Sequence, residues 1–286
     1  MGGFLVQTLN GVTFAGLLFL LASGFTLIFG LMRIVNLAHG TVYLVGGLVG
    51  YDAWVFTRSY ALAIVAGAVS MAIFGIFLER VLLRPLRGQP VRELLLTLGV
   101  TFVMSDLTTT IFGGNPLSIR PPSFIDGSTQ LGSVNYPTFR LAFLAVGVAI
   151  AVALYVINAR TRIGMIIRAG VDDREMVAAL GIPVARVFTA VFVVGCLLAG
   201  AAGVLGASFL TIYPGVDSQV LLYALVVVIV GGVGSLKGAV VGSLVVSLLV
   251  NYASAYFPSF SYFSLFGPMV LILLWRPHGL FGRTVY

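Results

Sequence analysis

FLVQTLNGVTFAGLLFLLASGFTLIFGLM, Phe4–Met32, contains no charged residue. A helix that crosses a bilayer needs about 20 predominantly apolar residues, and this run exceeds that length. It is too long for the apolar core of a secretory signal, and Met1–Phe4 lacks the basic residues such a signal carries. It therefore reads as a first membrane helix. The rest of the chain has the same character. Apolar residues make up 59% of the 286 and charged residues 9%, and the mean hydropathy is +1.11. A soluble domain carries about a quarter charged residues. No soluble fold hides this much apolar surface, whereas a bilayer solvates it.

Further apolar segments follow at Ala38–Phe56, Ala61–Leu83, Leu94–Phe112, Phe139–Ile157, Val187–Leu210, Val220–Val230, Ala239–Tyr256 and Tyr262–Trp275. The expected fold is all-α: a polytopic transmembrane helical bundle of eight to nine membrane segments, some short or broken, in a single domain over 1–286. The 35 glycines suit close helix packing and broken helices. The net charge of +7 would suggest nucleic acid in a soluble protein. Here the arginines sit between apolar spans, so membrane orientation explains them better and no nucleic-acid partner is expected. The single cysteine, Cys196, has no intrachain partner for a disulfide.

With the N-terminus outside and every segment crossing, thirteen basic residues fall on the cytoplasmic side, from Arg33 through Arg283. Only Arg58, Arg120 and Arg140 fall outside. The positive-inside rule favours this orientation and a cytoplasmic C-terminus. The loop of about 113–138, with Pro116, Pro121, Pro122 and Pro137, disfavours a long helix and faces outside. It has two readings, an ordered connection or a docking surface for an external partner.

The other informative loop is cytoplasmic, about 159–186: ARTRIGMIIRAGVDDREMVAALGIPVAR. Asp172 is a good N-cap and Glu175 stands three residues on, a capping-box pattern. Gly181 suits the left-handed residue after a helix, and Pro183 prevents continuation. The spacing predicts a short helix over about 173–180. Met176, Ala179 and Leu180 share one side, with Asp173, Arg174 and Glu175 as a polar rim. Such a helix either docks in a groove on another protein or links two spans as a solvated interfacial helix.

TRIGMIIRAGVDDREMVAALGI (Thr161–Ile182) resembles the cytoplasmic loop of branched-chain amino acid ABC-importer permeases of the LivH type. So do RIVNLAHG (Arg33–Gly40), RPLRGQP (Arg84–Pro90), VVVIVGGVGSLKGAVVG (Val226–Gly242) and WRPHGLFG (Trp275–Gly282). Their order and spacing match over nearly the whole chain. Leu37 stands where many family members carry phenylalanine, a conservative apolar change. The resemblance implies a second, similar permease subunit (LivM-like), two ATPase subunits, and an extracytoplasmic solute-binding protein. It also implies a place in a bacterial inner membrane, and that the helix from Asp172 to Gly181 couples to an ATPase. ATP and magnesium belong on the ATPase partners, and this chain is expected to bind no cofactor. Its solute is then a branched-chain amino acid or a related small molecule.

Broken helices at membrane depth are tolerated only beside protein or a wet cavity, which makes them candidate pathway segments. Two segments qualify. One holds Asn36, His39 and Gly40; the other holds Gly231, Gly232, Gly234 and Ser235. His39 either lines a pathway or fixes the turn by a hydrogen bond. Asn36 caps the following turn or bonds across helices. Lys237 faces the ATPases or serves only orientation. Asp106 lies well inside its span, so its costly carboxylate must face a cavity or a partner. It meets the amino group of a solute or caps a distorted helix end. Glu79 and Asp52 read as interfacial.

No enzyme chemistry is expected. GGVGSLKG lacks the spacing of a phosphate-binding loop, and no His/Cys/carboxylate cluster suggests a metal. An ion-coupled secondary transporter and a passive channel are the competing classes, since broken helices and Asp106 would also serve ion coupling.

Overall fold

The computed structural model describes residues 2–32, 35–132, 134–172 and 174–282; its account of side chains also leaves out Gly2, Asp172, Arg174, Glu175, Ser261 and Tyr262. Arg33 and Arg283 of the charge count and Asp173 of the cytoplasmic helix lie outside the described residues.

The uncharged run at the start forms α1, Gly2–Met32. After it come α2 (His39–Thr57) and α3 (Tyr60–Phe77). A π-helical turn over Leu78–Leu83 and a 3-10 turn over Arg84–Leu86 extend α3. Then follow α4 (Pro90–Phe112), α5 (Thr138–Arg160), α6 (Arg162–Asp172) and α7 (Arg174–Ala179). The chain closes with α8 (Val184–Phe209), α9 (Val216–Gly231), α10 (Leu236–Tyr256) and α11 (Ser261–Trp275). Local chemistry marks several ends. Ser59 and Ser235 cap α3 and α10 by accepting from Leu62 N and Gly238 N. Pro90 opens α4, where a missing N–H costs nothing.

Six helical stretches are long and apolar enough to cross a membrane: Gly3–Met32, Tyr60–Leu86, Pro90–Phe112, Thr138–Arg160, Val184–Phe209 and Leu236–Tyr256. The remaining apolar segments of the expected eight to nine correspond to α2, with His39 and Asp52, and to the shorter α9 and α11. The strands found among the described residues form one antiparallel hairpin, β1 (Ser128–Leu131) with β2 (Val134–Pro137), in the Pro-rich loop.

The helices differ sharply in burial. Within their spans 83% of α1 and 72% of α8 is buried, against 11% of α4 and 17% of α5. α1 and α8 are thus the centre of the bundle, and α4 leaves most of its surface bare. The central contacts are close because the residues are small. A β-carbon on Gly24 would stand 2.6 Å from the Gly195 carbonyl oxygen, and one on Gly46 2.5 Å from Gly200 Cα. Without a hydrophobic force between helices in lipid, such backbone approach supplies the packing.

The contacts also order the two ends. Tyr60 bonds Ser208 at 3.0 Å, and Thr189 at the other end of α8 donates to Glu79. The end holding Ser208 also carries the hairpin, clamped to α1 by Tyr136 and Arg140, which both donate to Asn10 Oδ1. The opposite end carries Arg84, Arg87, Arg160, α6 and the chain's last described residues. Glu79, expected at an interface, is wholly buried there. It is paired with Arg87, whose guanidinium also lies over the Phe188 ring at 4.8 Å. Burial is tolerable because the carboxylate meets both a cation and a hydroxyl.

Candidate translocation site

His39, the first residue of α2, donates from Nε2 to the Leu21 carbonyl at 3.0 Å and packs edge-on against Phe25. Leu21 lies eleven residues before the end of α1, about 16 Å along its axis at helical rise. α2 therefore begins inside the bundle, not at its rim. The turn before it is built by Asn36, whose Oδ1 accepts from Ala38 N at 3.2 Å and whose carbonyl accepts from His39 N. Asn36 and His39 are both fully buried; Asn36 bonds within the turn, and the His39 ring ties the start of α2 to α1. Asn36 Nδ2 and His39 Nδ1 have no partner among the described residues.

Gly40 brings a second helix start to the same place. A β-carbon on it would sit 2.2 Å from the Asp217 carbonyl oxygen. Asp217 is the second residue of α9, which the left-handed Gly215 (φ 99°) introduces. The Asp217 side chain is 3% exposed. Its Oδ2 accepts from Thr41 Oγ1 at 3.4 Å and from Ser105 Oγ at 3.5 Å, and Oδ1 has no partner among the described residues. A buried carboxylate thus lies at the start of α9 and against the start of α2, where the exposed N–H groups and dipoles of both favour negative charge. Sequence reading passed over Asp217 because the apolar run was begun at Val220. The signal was present as Pro214-Gly215 followed by an acidic residue at the head of a short apolar run.

Asp106 stands one residue beyond Ser105 on the bare side of α4. It is exposed, with no hydrogen bond or ion pair among the described residues. Around it Phe102 is 66% and Val103 60% exposed. The neighbouring Thr108 and Thr109 hydroxyls are spent on the Ser105 carbonyl. A carboxylate on an apolar helix face cannot rest against lipid tails at tolerable cost. This face therefore needs a partner or a wet path beside it.

The second broken segment does not join the first. α9 separates them by its full length, about 24 Å. Gly231 accepts from Phe281 N at 2.9 Å, and a β-carbon on Gly232 would meet Gly282 N at 2.2 Å. Gly231 and Gly232 thus seat the C-terminal segment, while Gly234 and Ser235 line a cavity beside it. Lys237 lies 5.8 Å from the Tyr155 ring.

Helix begins earlier in the punctuated loop than expected. Arg162–Asp172 is itself helical, so Asp172 is a helical residue instead of standing outside a helix as an N-cap. The capping side chains of Asp172 and Glu175, like Arg174 and the whole of Asp173, fall outside the side-chain description. The C-terminal signal is present as written: Gly181 has φ 76° and its N–H reaches the Ala178 carbonyl at 3.0 Å. Met176, Ala179 and Leu180 are exposed, and Val177 anchors the helix to the bundle. Among the described residues no group of His, Cys, Asp and Glu could hold a metal.

A membrane-spanning helical bundle in which two helices start internally around a buried carboxylate has the architecture of a transport permease. The chain belongs to the family described as branched-chain amino acid transport system / permease component, whose sequence model matches residues 7–274. It is similar to the high-affinity branched-chain amino acid transport system permease protein BraD of Pseudomonas aeruginosa, 28% identical over 98% of this chain and 96% of that one. The same figures hold for the permease protein LivH of Escherichia coli K12. The permease protein LivM of Salmonella typhimurium is 28% identical over 93% of this chain and 68% of its own. No solved structure matches the chain.

Proposed function

We propose that this chain is one permease subunit of an ATP-driven importer in a bacterial inner membrane. It moves branched-chain amino acids, or a related small solute, into the cytoplasm by alternating access. The Arg-rich end is cytoplasmic, a reading supported by thirteen basic residues against three when every apolar segment crosses. A second, LivM-like permease covers the bare face of α4, and the solute passes between the two subunits. There Asp106 meets the solute's ammonium group, and Phe102 and Val103 offer apolar contact to its side chain. Asp217, held by Thr41 and Ser105 behind that face, keeps the local potential negative. A solute-binding protein delivers from the other side, and two ATPase subunits hold ATP and magnesium.

The observation that carries the ATP-driven reading is α7. Met176 and Leu180 are 59% and 71% exposed at the Arg-rich end, on a helix stopped by Gly181 and Pro183. An apolar anchor on a short, punctuated helix is what a groove on another protein takes up. The test is reconstitution in vesicles with the paired permease, ATPases and binding protein. Uptake of leucine that requires ATP is the expected result. Uptake by this chain alone, driven by a proton or sodium gradient, would overturn it.

A further inference from the structure

A cavity of about 1110 Å³ opens between α1, α5, α6, α9, the start of α10 and the 276–282 segment, at the Arg-rich end. This is just above the range of about 300–1,000 Å³ for small-molecule sites. Its walls are mainly apolar, with Phe29 on α1 and Leu225 and Ile229 on α9. Its polar side carries two cations, Arg168 from α6 and Lys237 from α10, with the imidazole of His278 from the C-terminal segment beside them. None of the three makes an ion pair among the described residues, and none of the described lining residues is acidic. Three separate elements thus bring basic groups to one opening, with no acidic partner among the described residues. Thr26, fully buried on the α1 wall, has an Oγ1 with no partner among the described residues.

We propose that this cavity is a binding site for an anionic phospholipid. The phosphate sits among Arg168, Lys237 and His278, and an acyl chain lies along Phe29, Leu225 and Ile229. A free anion would leave the apolar walls wet, and an apolar molecule would leave the cations unmatched; a phospholipid answers both. Basic pockets between membrane helices bind anionic headgroups on this principle. The site is separate from Asp217 and Asp106, and the proposal rests on membrane residence alone.

The test is native mass spectrometry of the full chain, delipidated in detergent and then titrated with dioleoyl phosphatidylglycerol or dioleoyl phosphatidylcholine. Phosphatidylglycerol should be retained preferentially, and R168Q/K237Q should weaken it about 30-fold, near fivefold per cation. R168K/K237R should retain it, and R80Q/R92Q, of equal charge loss elsewhere, should not weaken it. Equal retention of the two lipids by the unaltered chain overturns the proposal without recourse to any variant. So does competition at equal concentration by inorganic phosphate, which would mark a plain anion site, or by leucine, which would mark a solute vestibule.

Discussion

Gly40 and Asp217 touch backbone to backbone at the starts of two helices. A β-carbon on Gly40 would be 2.2 Å from the Asp217 carbonyl oxygen. Main chain cannot swing aside as a flexible side chain can. Gly40→Ala must push α2 and α9 apart, at about 1–3 kcal/mol for overpacking. The expected outcome is a lower thermal midpoint in detergent. An unchanged midpoint would show that the helices are free to separate.

The Asp217 carboxylate accepts from Thr41 and Ser105 and faces two helix N-termini. Asp217→Asn keeps an acceptor and the volume but removes the charge, and should cost about 1 kcal/mol. Asp217→Leu also leaves both hydroxyls without their acceptor and should cost about 1–3 kcal/mol more. Thermal melts of the two variants check the order. If the leucine variant is the more stable, the carboxylate is a net burden on the fold.

The fully buried Glu79 pairs with the partly buried Arg87 and accepts from Thr189. Removing one partner leaves a buried charge uncompensated, so Arg87→Met should lose about 3–5 kcal/mol. Glu79→Leu with Arg87→Met should recover most of that loss. Equal damage by the single and double changes would mean that packing, not charge, holds the turn.

Asp106 has no partner among the described residues, so Asp106→Asn should leave the thermal midpoint unchanged. Transport should fall about tenfold or more, the weight of one charge-assisted hydrogen bond. Unaltered kinetics in reconstituted vesicles would remove Asp106 from the solute's path.

Ala179 is exposed on α7. Ala179→Arg should insert and fold normally yet fail to co-purify with the ATPase subunits. Intact assembly together with intact transport would end the coupling role of this helix.

Much of the architecture is legible locally. Membrane residence follows from windows such as Phe4–Met32, because transfer into lipid is summed over neighbouring residues. The stop at Gly181 is likewise local, since a left-handed φ after a helix is a property of one residue type. Asn36 and His39 could be marked as a break from their sequence, but the partner of His39 could not. The carbonyl that His39 meets belongs to Leu21, and nothing near His39 in the chain indicates which turn of α1 will lie beside it.

The sequence by itself determined the helical membrane bundle, the basic end and the punctuated helix at that end. Each is a sum or a pattern over a few adjacent residues. Tertiary structure alone decided that α2 begins about 16 Å inside the bundle. It alone placed Asp217 against Gly40, buried Glu79 beside Arg87, and sent the two broken segments to opposite ends of α9. These depend on which backbones approach across the bundle, and glycine permits such approaches without specifying them.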